Sequence, residues 1–251
     1  MAGKYHYQPT IERSALSFLR LCLIVTCALK LSASSQSYFH IPIHWGWFEV
    51  WLAASTAFAY HFNDNVMAIR LWAWALGVLA GMAFFCLPYM LQVMALSTGI
   101  LWAAYLFVFR EFVFLKPLLI SLVWVLTTLF MVIPVVHYAA AIPLALSRFC
   151  FILALALGCD LVDMRYDTIE KTPTLALRWG KKGVFLGALF CLLLATVALA
   201  FSSYSYFWKM EHMCVLLLSA GLLFWIKNKS EVLSWRQVTW YKLGIDALLL
   251  G

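Results

Sequence analysis

Three aspartates, Asp160, Asp163 and Asp167, stand just beyond the apolar run "AAAIPLALSRFCFILALAL". Their spacing is i, i+3, i+7, which puts all three on one face if the helix continues through them. Three like charges on one face repel each other unless a cation sits among them. Carboxylate oxygens suit Mg²⁺, an ion that keeps several waters and bridges to phosphate oxygens. Arg165, Lys171 and Arg178 lie among and just beyond them, and guanidinium and ammonium groups are the side chains that hold phosphate. The spacing alone leaves a second reading open, a solvated loop of mixed charge at a membrane surface.

The elements that must position these residues are apolar. The chain has 251 residues, of which 65% are apolar and 12% charged, against about 25% charged in an ordinary soluble domain. Runs long enough to cross a hydrocarbon core roughly 30 Å thick recur throughout. Nine candidate spans lie near 15–34, 46–62, 69–87, 89–109, 117–137, 139–159, 183–203, 209–227 and 238–250. The runs are continuous and do not alternate, which points away from a β-barrel. The expectation is an all-α polytopic membrane protein, residues 1–251 forming one transmembrane helical domain. The first apolar run starts late and has no small-residue cleavage site, so the first span is expected to be retained. Seven cysteines are scattered without a CxxC pair and read as small packing residues.

Basic residues orient the bundle. Lys4 and Arg13 precede span one, Arg70 follows span two, Arg110 and Lys116 follow span four, and Arg165, Lys171, Arg178, Lys181 and Lys182 follow span six. Lys227, Lys229 and Arg236 close the series. The alternate loops are nearly free of Lys and Arg. The N-terminus and the aspartate row are therefore expected on the cytoplasmic side of an inner or cytoplasmic membrane, with the C-terminus outside. The net charge of +7 reflects this bias and attraction to anionic lipid, not nucleic-acid binding.

The stretch "DLVDMRYDTIEKTPTLALRWG", within 158–180, resembles the second aspartate motif of the UbiA superfamily of intramembrane prenyltransferases: Asp160, Asp163, Asp167, Lys171, Thr174, Leu175 and Gly180 match it. That family has nine helices, with aspartate motifs at the cytoplasmic ends of helices two and six. "FREFVFLKPLLISLVWVLTT" is similar to its loop 4–5, with Lys116 the matching lysine. Its first motif, N-D-x-x-D-x-x-x-D, falls near 61–70. Asn63 and Asp64 match the start, but Met67 and Leu71 stand where two further carboxylates belong.

The resemblance implies a transferase that moves an isoprenyl group from a lipid diphosphate to an aromatic or quinone-type acceptor with Mg²⁺. It implies Asp64, Asp160, Asp163 and Asp167 as metal ligands, the last three also as catalytic residues. Asn63, Asp64, Arg70, Lys116, Arg165, Lys171 and Arg178 become the substrate-binding set. The eroded first motif keeps other readings in play: a non-catalytic member that binds a lipid or partner, or a transferase of phosphoribosyl type. A transporter is disfavoured, because no paired broken helices or inverted repeat are visible.

Two charges lie deep in the spans. Arg148, in span six, and Asp246, in span nine, come out at nearly equal depth, roughly 15–18 Å from the cytoplasmic side at about 1.5 Å per residue. A lone charge there would cost at least about 2.5 kcal/mol. The expectation is an Arg148–Asp246 pair. The rival is Arg148 on backbone carbonyls or a substrate group, with Asp246 taking a Tyr or Trp donor.

Overall fold

A computed structural model describes residues 11–43, 45–62, 67–104, 112–170, 174–202, 206–229 and 235–250. Within those segments the side chains of 11–17, 61–62, 67–71, 165–166, 170, 206–208, 210–211, 229, 235–236, 239 and 250 lie outside the description. The described residues are helical and contain no β-strand. They form α1 (Ile11–Tyr38), α2 (Trp47–Phe62), α3 (Met67–Phe85), α4 (Tyr89–Ala104), α5 (Leu115–Val125), α6 (Tyr138–Glu170), α7 (Leu175–Ala200), α8 (Tyr206–Lys229) and α9 (Trp235–Ala247). Helix satisfies every interior backbone N–H and C=O within its own segment, which lipid demands.

Three stretches are long and apolar enough to cross a membrane: Phe18–Tyr38, Val135–Met164 and Leu175–Ala200. Shorter apolar helices cover Trp72–Phe85, Tyr89–Ala104, Leu115–Phe130 and His212–Asn228. Large apolar side chains face both ways. Leu144, Leu161, Val184, Leu199, Leu223 and Ile226 are buried between helices, while Trp72, Phe85, Leu186, Phe190, Leu217 and Leu218 are exposed. An apolar exterior over an apolar core is the composition of a protein whose solvent is lipid. The cysteines are all free thiols, with Cys27, Cys150 and Cys191 buried.

α6 is the central element and packs against α5, α7, α8 and α9. Its 33 residues span roughly 50 Å at about 1.5 Å per residue, longer than a hydrocarbon core. The three aspartates occupy its last turns. Span five, expected as one run to 137, instead breaks. α5 passes into a π-helical turn, Leu126–Phe130, and a separate 3₁₀ turn, Val135–His137, leads into α6. Thr127 and Thr128 return their hydroxyls to Val123 O and Trp124 O, at 2.8 and 2.6 Å, back-bonding of the sort that bends helices.

Candidate functional site

The helix does continue through the aspartates, so α6 carries Asp160, Asp163 and Asp167 on one face. Each meets a different neighbour. Asp160, 3% exposed, accepts a hydrogen bond from Lys116 Nζ at 3.4 Å. Lys116 stands in the first turn of α5, where the following Pro117 is tolerated because its N–H would lack a helical partner anyway. Asp163 Oδ1 lies 2.7 Å from Lys242 Nζ, on α9. Asp167 is partly buried, and the Thr174 hydroxyl at the start of α7 lies within hydrogen-bonding reach of its carboxyl.

Burial, then repulsion by Asp163, pushes the Asp167 carboxyl up to about 6 from an ordinary 3.8, with Asp160 adding to the rise and Lys116 opposing it. A carboxylate so placed gains from a cation. Among the described residues no three His, Cys, Asp or Glu side chains gather as ligands to one ion. Mg²⁺ does not need three, since one or two carboxylates with waters and phosphate oxygens complete its shell. Asp167, raised by burial within a row of carboxylates, fits that donor chemistry.

The expected cations are distributed differently. Lys116 is at the row. Arg178 is exposed, with its guanidinium 5.1 Å from the centre of the Phe114 ring, and Phe114 in turn meets Trp179 edge-on at 5.2 Å. Immediately after, Gly180 takes φ 69° and ψ 168° inside α7, a combination essentially confined to glycine. Trp179 then folds over Gly183, where an added Cβ would come within 2.9 Å of the Trp179 Cβ. Asn63, Asp64 and Lys171 lie outside the described residues, as do the side chains of Arg70 and Arg165.

A cavity of about 500 Å³ opens between α2, α4 and α5. Trp51, Phe58, Trp102 and Trp124 form much of its wall, with Tyr60 beside them. Lys116 also lines it, so the residue that reaches Asp160 belongs to the cavity as well. Volume and lining fall in the range of small-molecule sites.

The expected Arg148–Asp246 pair does not form. Asp246 Oδ2 accepts from Arg20 Nε on α1, at 2.5 Å. Arg148 donates to Ser35 Oγ at 2.5 Å, to Ser34 Oγ at 2.7 Å and to the Thr128 carbonyl in the π-helical turn at 3.3 Å. The two residues face different helices. The rival reading thus holds for Arg148 in its backbone carbonyl, while Asp246 takes a guanidinium, not an aromatic donor. Sequence reasoning also missed Arg20 and Lys242 as polar participants, and gave Thr174 only as a residue of the matching motif. A signal existed for α9: Lys242 and Asp246 are four apart in one helix and share a face.

No protein-family model matches the chain, and no curated protein matches it.

Proposed function

We propose that this chain is a UbiA-like membrane prenyltransferase, moving an isoprenyl group from a lipid diphosphate to an aromatic or quinone-type acceptor. One observation carries the reading: Lys116 both lines the apolar cavity and reaches Asp160. Space for an apolar tail and a row of carboxylates therefore share one end, as an amphiphile with an anionic head requires. The reading takes all nine helices as crossings, with the N-terminus and the aspartate row cytoplasmic and the C-terminus outside.

In this reading Asp160, Asp163 and Asp167, with Asp64, would hold Mg²⁺, which supplies charge neutralisation to a departing diphosphate. Lys116 receives the head group at the cavity mouth. Arg70, Arg165, Lys171 and Arg178 add fixed positive charge at the rim, and Asn63 can donate an amide hydrogen bond to phosphate. Fixed cations in a water-poor site stabilise a leaving group far better than the same cations in water. Trp51, Phe58, Trp102 and Trp124 present aromatic walls that exclude water and can face an allylic cation.

A second reading has its own support. Met67 and Leu71 stand where the family's first motif has carboxylates, which favours a protein that binds a lipid diphosphate without turning it over. One experiment separates the two. Purified protein is incubated with Mg²⁺, radiolabelled prenyl diphosphates of several lengths and a panel of phenolic and quinone acceptors. A labelled lipid product is expected. Mg²⁺-dependent binding without product supports the second reading, and no binding at all overturns both.

A further inference from the structure

Gly99 lies in the interior of α4 without either of the usual reasons for a glycine. Glycine weakens a helix relative to alanine, and it is kept where the backbone needs a positive φ or where a neighbour leaves no room for a Cβ. Among the described residues Gly180 is the glycine with positive φ, and Gly99 sits in ordinary helix. A Cβ added at Gly158 would come within 2.6 Å of the Leu223 side chain, and one at Gly77 within 3.2 Å of Phe58, whereas one at Gly99 would meet no atom within 4 Å. What lies in front of Gly99 is the cavity. Ala95, Thr98, Gly99 and Trp102 follow the i, i+3, i+4, i+7 pattern of one helix face, and all four line it. Ala95 and Thr98 are the buried residues of α4, so the side that α4 turns into the bundle is the cavity wall.

Along α5 the lining runs from Lys116 to Thr127, roughly 16 Å at about 1.5 Å per residue. Tyr138 Oη contacts Met94 Sδ at 3.7 Å and donates to the Phe130 carbonyl at 2.8 Å. The start of α4 therefore stands beside the far end of α5, with Ala95 at the Thr127 end of the cavity and Trp102 toward the Lys116 end. The hydroxyls of Ser55, Thr98 and Thr127, which also line the cavity, return to carbonyls of their own helices, Leu52, Ala95 and Val123, at 3.2, 2.9 and 2.8 Å. With those hydroxyls used within the wall and an ammonium group at one end, the cavity suits an amphiphile with an anionic head and a hydrocarbon tail. We infer that Gly99 sets how long a tail the cavity admits. It stands between the head end, at Lys116 and Trp102, and the deep end, at Ala95 and Thr127, and leaves the passage between them open. A side chain there would project into the passage and close the deep end, while the head end would keep its room. The inference rests on the functional reading above, which supplies the isoprenyl tail, and adds to it a residue that decides chain length.

The test is equilibrium binding of radiolabelled geranyl, farnesyl and geranylgeranyl diphosphates, with Mg²⁺, to the full chain in nanodiscs, empty nanodiscs being subtracted. Wild type is expected to bind the longest tail at least as tightly as the shortest. Gly99→Leu is expected to keep geranyl diphosphate within a few-fold of wild type. It should weaken geranylgeranyl diphosphate roughly 10-fold or more, since withholding even two methylene groups from an apolar site amounts to about that factor. Gly99→Ala is expected to melt at or above the wild-type temperature, because alanine favours the helix and its Cβ has room, and to disfavour the longest tail by a smaller factor. Equal affinities of Gly99→Leu and wild type for every tail would overturn the inference and leave the functional reading intact. A uniform loss for all three tails would overturn it too, as would a lower melting temperature in Gly99→Ala, which would show that the space at Gly99 is filled. Wild type that binds none of the three would overturn the functional reading and the inference with it.

Discussion

Lys242 Nζ on α9 lies 2.7 Å from Asp163 Oδ1 on α6, and the two side chains are 22% and 24% exposed. The ammonium occupies an oxygen that a divalent cation would also seek. Lys242→Gln should therefore raise Mn²⁺ affinity a few-fold, read from the free-ion electron paramagnetic resonance signal in a Mn²⁺ titration of the detergent-solubilised protein. Its effect on melting should stay within about 1 kcal/mol, because a pair with access to solvent contributes little. Weaker Mn²⁺ binding would mean that the lysine does not compete for the carboxylate.

Arg20 and Asp246 join the first helix to the last. Asp246→Asn should destabilise the detergent-solubilised protein by about 2 kcal/mol, between the values for exposed and fully buried pairs. Adding Arg20→Leu should recover part of the loss. The same cycle between Asp246 and Arg148 should be additive, since those residues have separate partners. Coupling of Asp246 to Arg148 stronger than to Arg20 would contradict the structure.

Arg148 spreads its guanidinium over Ser34, Ser35 and the Thr128 carbonyl. A lysine carries the same charge but lacks the planar fork. Arg148→Lys should cost roughly 1–3 kcal/mol, the scale of leaving buried polar partners unsatisfied, seen as a lower melting temperature. Full stability in the lysine variant would show that charge alone suffices there.

Burial pushes the Asp167 carboxyl up to about 6 in the folded protein, against 3.8 for an ordinary aspartate. The folded state therefore binds more protons than the unfolded state between those values. Its contribution to stability is fully present below about pH 4 and is lost as pH rises through 6. In EDTA, the melting temperature of wild type should decline across that window more steeply than that of Asp167→Asn. Parallel profiles for the two proteins would rule out Asp167 as the group responsible.

The sequence made some relationships legible and hid others for a physical reason. Apolar run length revealed the helical class, and the i, i+3, i+7 spacing placed Asp160, Asp163 and Asp167 on one face, where α6 carries them. Lys116 entered the candidate site only through the family resemblance of its loop, and the structure puts it beside Asp160. The partners of Arg148 and Asp246 were not legible. Span boundaries give a residue's depth, whereas azimuth around the helix comes from the difference between inner and outer faces. Here both faces are apolar, as Leu161 inside and Leu186 outside illustrate, so direction around the helix could not be read.

The break at Gly180 divides α7 mechanically. From residue 181 to 200 the helix is a stiff rod of roughly 30 Å at about 1.5 Å per residue, and such rods lean more or less steeply as bilayer thickness changes. In an unbroken helix that lean would swing the tip, where Thr174 and Arg178 stand. The dihedrals of Gly180 act as a swivel between rod and tip. Trp179, wedged between Phe114 and Gly183, moors the tip to the start of α5. The aim of the tip is thereby set by its protein neighbours and insulated from the thickness of the surrounding lipid.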